Sequence, residues 1–184
     1  NKLRYSKTVE LLLAHLCIKE LKAFSASFGV HIDGSPNGGD YDCIANFQNS
    51  LIHFEVKSGE ARNISRNDLQ SFLKRHDFLC PEASVLFLDC QKVPDDVILR
   101  FKGLDIGDRT KVNKIMEIQL DDKRLFVVYS GIVVIDISES GDILSNIRSA
   151  MRFLDRYNLR HKSILYDQLE PHHLGCKGKV LKQL

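Results

Sequence analysis

The run Ala83-Ser84-Val85-Leu86-Phe87-Leu88-Asp89-Cys90 is apolar at nearly every position, and Pro81 stands just ahead of it. A strand with one solvated face alternates apolar and polar residues, whereas an unbroken apolar run of this length is the pattern of a strand buried on both faces. Such a strand belongs at the centre of a sheet, and the rest of the chain must cover it. Before it, Ser65 and Asp68 form a capping-box pattern ahead of Leu69, Phe72 and Leu73, which predicts a helix to about Phe78. At the amino end, Val9, Leu12, Leu13, Leu16, Cys17, Leu21 and Phe24 recur at helical spacing, with Ser6 placed as cap, and predict a long amphipathic helix from Ser6 to about Phe24. Val30 to Ile32 are compatible with a first strand.

Beyond the central run, "PDDVILRF" predicts a short helix from Pro94, and the stretch to Lys114 reads as loop. Three strand-like runs follow, "KIMEIQL", "RLFVVYS" and "IVVIDIS", joined by the turn candidates "DDK" and "SG". Asp142 to Tyr157 is helical, with Ile143, Ile147, Met151 and Leu154 on one face. The expected class is α/β, a central mixed β-sheet flanked by helices. At 184 residues the chain predicts a single domain, its core about 6–90 and accessory strands, helix and basic tail about 94–184.

Composition narrows the function classes. Apolar residues make up 43% and charged residues 27%, a soluble globular balance. No apolar run reaches the ~18 residues of a membrane span, and the amino end lacks signal-peptide order. The chain opens on Asn1 rather than Met, so flanking domains stay open. Cys17, Cys43, Cys80, Cys90 and Cys176 are an odd, scattered set without a C-x-x-C pair, which predicts a reducing, cytoplasmic setting and argues against a zinc ribbon or an iron–sulfur cluster. Six Lys or Arg against two acids from Arg156 to Leu184 make the basic balance local; on charge alone this is a solvated tail rather than a phosphate contact.

The stretch "GGDYDCIANFQNSLIHFEVKSG" carries the chemistry. It reads as a strand from Asp42 to Phe47, a turn at "QNS", and a strand from Leu51 to Lys57. Alternation along a strand puts Glu55 and Lys57 on one face and leaves Phe54 and Val56 to bury on the other. An isolated E-x-K is most often a surface ion pair. Asp42, thirteen residues earlier at the start of the neighbouring strand, changes that reading. Two carboxylates and a backbone carbonyl, that of Val56, suit a hard divalent cation such as Mg²⁺ or Mn²⁺ that keeps several waters. Such a cation binds a phosphate oxygen and activates water; Lys57 would orient or help deprotonate that water, or neutralise charge building on phosphorus.

"GGDYD", thirteen residues, then "EVK", with a helix before and a helix and buried strand after, resembles the PD-(D/E)XK nuclease superfamily, the restriction-endonuclease-like fold of Holliday-junction resolvases and restriction-type endonucleases. The resemblance covers about Ser6 to Cys90, and Tyr41 stands where the family name has Pro. It implies an αβββαβ core, Asp42 and Glu55 as metal ligands and Lys57 as the catalytic lysine. It also implies a first-helix glutamate completing the metal site, for which the chain offers Glu10 and Glu20. Both fall on the apolar side at 100° per residue, and Glu10, in the early turns, is preferred. Gln70 resembles the glutamine that some members use near the site, and a plain surface glutamine is the equal alternative. Asp40 shares a face with Asp42 but sits in the turn and ranks below it.

Candidate nucleic-acid contacts are Arg62, Arg66, Lys74 and Arg75 around the second helix. Arg148, Arg152 and Arg156 recur every four residues on the last helix, with Arg160 extending the ridge; solvated face and phosphate track are even readings. His172, His173 and Cys176 read as tail. The expected function is a Mg²⁺-dependent phosphodiesterase, a DNA endonuclease of restriction, repair or recombination type, and the resemblance implies a 5′-phosphate product. Cutting both strands would favour a symmetric homodimer. The alternatives are a nuclease-fold module that binds nucleic acid or a protein partner without the reaction, and an α/β domain whose E-x-K is incidental.

Overall fold

The computed structural model describes residues 2–36, 40–47, 50–58, 60–89, 95–107, 110–120, 123–129, 131–136, 143–157 and 179–183. The helices are α1 (Lys2–Lys19), α2 (Arg66–Leu79), α3 (Asp95–Leu99) and α4 (Ile143–Tyr157). The strands are β1 (Ser25–Val30), β2 (Tyr41–Phe47), β3 (Ser50–Ser58), β4 (Ala83–Asp89), β5 (Asp105–Ile106), β6 (Thr110–Lys111), β7 (Met116–Leu120), β8 (Lys123–Tyr129), β9 (Ile132–Asp136) and β10 (Lys179–Gln183). Eight of them form one mixed sheet in the order β1-β2-β3-β4-β9-β8-β7-β10. β4 runs parallel to both β3 and β9, and the outer pairs are antiparallel.

The apolar run that opened the sequence reading therefore lies at the centre. Ala83, Val85 and Phe87 pack into a core under α1 and α4, formed with Leu13, Cys17, Phe54, Ile147 and Phe153. Leu86 and Leu88, on the alternate face, pack under α2 and α3 against Leu69, Phe72, Val97 and Ile98. A charged side chain in place of Val85 or Phe87 would be stranded in apolar surroundings. The α/β class and the sheet flanked by helices follow.

Three local readings are corrected. The first helix stops at Lys19 and the first strand is Ser25–Val30, rather than a helix to Phe24 and a strand from Val30. Lys22 takes a left-handed backbone (φ 60°) and the Ala23 N–H returns to the Cys17 carbonyl at 2.8 Å. Leu21 still packs on the same core after this turn, which prolonged the apolar periodicity; Phe24 is 88% exposed. Ser6 accordingly lies inside the helix rather than capping it.

The loop before Lys114 holds the β5–β6 hairpin, because Leu104, Ile106 and Val112 supply apolar contacts to the α2 side of the core. The strands read as accessory belong to the main sheet: β9 lies beside β4, pairing Val85 with Val133 and Phe87 with Ile135. The basic tail contributes β10, paired to β7. The predicted capping box of α2 is present, the Asp68 N–H donating to Ser65 Oγ and the Ser65 N–H to Asp68 Oδ2. No helix among the described residues is long and apolar enough to cross a membrane. Gly38, Gly39, most of the "QNS" turn, Cys90, Pro94, Asp142, the Arg156 side chain, Arg160, His172, His173 and Cys176 lie outside the described residues or side chains.

Candidate active site

β2 and β3 pair from Phe47↔Ser50 to Cys43↔Phe54 and then part. Just past the last pair, Asp42 Oδ2 accepts the backbone N–H of Val56 at 2.7 Å. The carboxylate thus takes a donor that the ladder leaves over. On β3, His53, Glu55 and Lys57 share the α2 face, while Phe54 and Val56 face the α1 and α4 core. Sequence alternation put Glu55 and Lys57 side by side, and the Lys57 Nζ to Glu55 Oε1 distance is 2.7 Å.

Glu55 is 1% exposed, an expensive place for a charge. Its Oε1 receives a second cation, the Nη2 of buried Arg75 from α2. His53 Nε2 stands 3.5 Å from Oε2, near enough to favour the ionised carboxylate and too far for a well-formed hydrogen bond. Burial pushes the Glu55 pKa up, but His53, Lys57 and Arg75 outweigh it and hold the group at about 2. His53 is itself held in place: Nδ1 lies 3.2 Å from Ser84 Oγ, which lies 2.9 Å from His76 Nδ1, and Tyr41 packs edge-on against its ring. Burial lowers the His53 pKa and favours the neutral ring.

Asp42 behaves oppositely. Burial first, and then the charge of Glu55, raise it to about 7 against the pull of the Val56 N–H and Lys57. Two neighbouring carboxylates whose environments push them apart are the pattern of a functional site. Glu10 is raised too, chiefly by burial, with Lys7 opposing and Asp40 and Glu55 adding to the shift. Its Oε2 lies over Gly29, 3.6 Å from where a β-carbon would stand.

The donor set fits a Mg²⁺ or Mn²⁺ ion of the kind that keeps most of its waters. Glu55 Oε2 is buried and has no hydrogen-bond partner among the described residues, and the Glu55 charge is one of the causes that raise Asp42. It does not fit a protein-built cage, since no group of three or more His, Cys, Asp or Glu that could hold a metal ion occurs among the described residues. Of Val56 the structure uses the N–H, on Asp42.

The structure separates the remaining candidates. Glu10 feels the charges of Asp40 and Glu55, yet it makes no metal-holding group with Asp42 and Glu55 among the described residues; Glu20 is exposed and pairs with Arg148 Nη2 at 3.2 Å. Asp40 pairs with exposed His31 at 3.1 Å. Gln70 has a different task from the one expected. Its amide donates to the Asp105 carbonyl at 2.8 Å and accepts the Asp105 N–H at 3.1 Å, clamping the β5–β6 hairpin to α2.

Arg75 is no surface contact for a nucleic acid; it is 6% exposed and bonded to Glu55. Arg66 donates to the carbonyls of Arg100 and Lys102, and Arg62 pairs with Glu60. Lys74 is exposed on α2. Arg148 and Arg152 are exposed on α4, which covers the sheet face opposite Glu55 and Lys57.

His53, Ser84 and His76 were missed as site residues, and Arg75 was expected as a nucleic-acid contact rather than as a partner of Glu55. His53 carried a signal, since 53, 55 and 57 alternate onto one face. His76 stands four residues after Phe72, inside the apolar stripe of α2.

No family model matches the chain, and neither a curated protein nor a solved structure matches it. Its class, an α/β protein with a mixed sheet between helices, rests on the architecture described above.

Proposed function

We propose that the chain is a metal-dependent nuclease with a restriction-endonuclease-like core, a member of the PD-(D/E)XK superfamily that hydrolyses phosphodiester bonds in nucleic acid, DNA first. The observation that carries the reading is the meeting of Asp42 and Glu55 on adjoining strands, with Lys57 on Glu55 Oε1. The order helix, three strands, helix, strand from α1 to β4 agrees with it.

Asp42 and Glu55 Oε2 would hold the cation. A bound Mg²⁺ supplies Lewis-acid polarisation of a phosphate oxygen and a water of lowered pKa. The residues of the chain do the rest. Val56 fixes Asp42 through its N–H, and Arg75 and His53 fix Glu55. Lys57, with its side chain 27% exposed, can meet a phosphate, orient the attacking water and offset the charge growing on phosphorus.

One observation favours a second reading. Glu55 already has two cations, as a purely structural ion-pair cluster would, so a module that binds nucleic acid without cutting it is the competitor. A panel of duplex, branched and single-stranded DNA and of RNA, with Mg²⁺ or Mn²⁺, separates the two. The nuclease reading expects cleavage of at least one member to a 5′-phosphate and none in EDTA; binding with no cleavage of any member supports the module.

A further inference from the structure

We propose that Arg75 is a positioning residue that keeps Glu55 neutralised when Lys57 leaves it for the substrate, and that fixes Oε2 as the oxygen offered to the metal. The proposal rests on the nuclease reading above.

Two cations share Glu55 Oε1, and they are not alike. Lys57 comes from the strand end on a flexible stem with its side chain 27% exposed; the Arg75 side chain is 7% exposed and enters from the inner side of α2. A lysine that assists at phosphorus has to move its ammonium toward the phosphodiester and away from Oε1. With Lys57 as its only cation, Glu55, whose side chain is 2% exposed, would then be a buried charge without a partner. Arg75 removes that penalty because it stays. A guanidinium cannot lose its charge, and its planar donors suit a carboxylate.

The second consequence is orientation. Arg75 and Lys57 both engage Oε1, so Oε2 is the oxygen left without a hydrogen-bond partner among the described residues, buried and with His53 Nε2 at 3.5 Å. The docking of Arg75 is held from next door. His76 bonds Ser84 of β4, and the same hydroxyl meets His53, two residues before Glu55. Helix α2 is thereby tied to the site strand next to Arg75.

The test compares wild type, Arg75→Gln, Arg75→Lys and Lys57→Ala. The readouts are Mn²⁺ affinity by titration calorimetry without nucleic acid, the thermal midpoint in EDTA, and the single-turnover cleavage rate at saturating Mn²⁺. For Arg75→Gln the expected results are Mn²⁺ affinity within about threefold of wild type, the lost orientation of Oε2 and the lost positive charge opposing each other, and a rate about 10- to 100-fold lower, with Arg75→Lys recovering much of the rate. A purely structural arginine would lower affinity, midpoint and rate together. Arg75→Gln cleaving at the wild-type rate, or losing rate only in step with Mn²⁺ affinity, overturns the proposal.

Where Arg75→Gln does not fold, Lys57→Ala carries the test. Arg75 should still hold Glu55, so this variant should keep its midpoint in EDTA within about 4 °C of wild type, roughly 1 kcal/mol for a chain of this size. Its Mn²⁺ affinity should stay within about threefold, and a larger loss of either overturns the proposal. If wild type neither binds Mn²⁺ nor cleaves, the nuclease reading fails and the inference falls with it; if wild type does both and the variants depart from these results, the inference alone fails.

Discussion

The backbone N–H of Val56 donates to Asp42 Oδ2 at 2.7 Å, just past the point where the β2–β3 ladder stops. A side chain there does what a strand carbonyl does elsewhere in the sheet. The position of the first carboxylate is thus set by the parting of two strands and by a main-chain donor that only proline at position 56 would remove.

This contact makes Asp42→Asn an informative variant, because the amide oxygen can still accept from Val56. Asp42 is raised from 3.8 to about 7 in the fold, so the folded protein binds the proton more tightly than the unfolded chain. Its favourable contribution is greatest in acid, declines as pH rises from the unfolded value, and becomes a standing cost above about 7. At about 1.4 kcal/mol per unit, the cost is on the order of 2–4 kcal/mol at pH 8. Asp42→Asn should therefore melt at a higher temperature than wild type at pH 8 in EDTA, with the gap narrowing toward pH 5. Equal midpoints at both pH values would contradict this.

A divalent cation should relieve the same cost. Mg²⁺ or Mn²⁺ is expected to raise the wild-type midpoint at pH 8, less at pH 5.5 where Asp42 holds a proton, and not at all in Asp42→Asn. Thermal melts across cation concentration check it; a rise of equal size in the variant would place the ion elsewhere.

Much of the site could be read from the sequence, for a definite reason. The period of two along β3 fixes that Glu55 and Lys57 share a face, and the apolar run of β4 fixes which strand is buried. What could not be read is what crosses between elements. Arg75 looked like surface because only its helix was visible, and nothing local says that its stem points at a strand twenty residues back. Gln70 met the peptide of Asp105, thirty-five residues on, through a hairpin too short to leave a strand pattern. Glu10 and Glu20 were equivalent on a helical wheel until the sheet gave α1 a near end and a far end.

Glu55→Gln tests the electrostatics of the buried cluster. Removing the anion leaves Arg75 buried without its partner, at a cost of about 3–5 kcal/mol. The wild-type carboxylate is held at about 2, below its ordinary 4.5, so its contribution is present above pH 4.5 and is lost as pH falls through 2. Urea midpoints from pH 7 to pH 2 should show a lower plateau for the variant and a shallower acid limb; an acid limb of unchanged steepness would assign the acid sensitivity to other groups.

Gln70→Ala should behave as a scaffold change. Losing both bonds to Asp105 should cost about 1–2 kcal/mol in urea unfolding and leave the single-turnover cleavage rate near wild type. A rate loss of about tenfold or more at saturating cation would return Gln70 to the catalytic set.

Exposed Lys74 is the simplest probe of whether α2 meets nucleic acid. If it contacts phosphate, Lys74→Ala should weaken DNA binding evenly across sequences and reduce the dependence of log affinity on log salt by about one. An unchanged salt slope would remove it from the interface.

The most direct measurement is cleavage of the panel substrates by wild type, Glu55→Ala and Lys57→Ala in Mg²⁺, with folding of each protein checked by circular dichroism. The account predicts cutting by wild type that EDTA stops, and none by either folded variant. Cleavage by Glu55→Ala at the wild-type rate would contradict it.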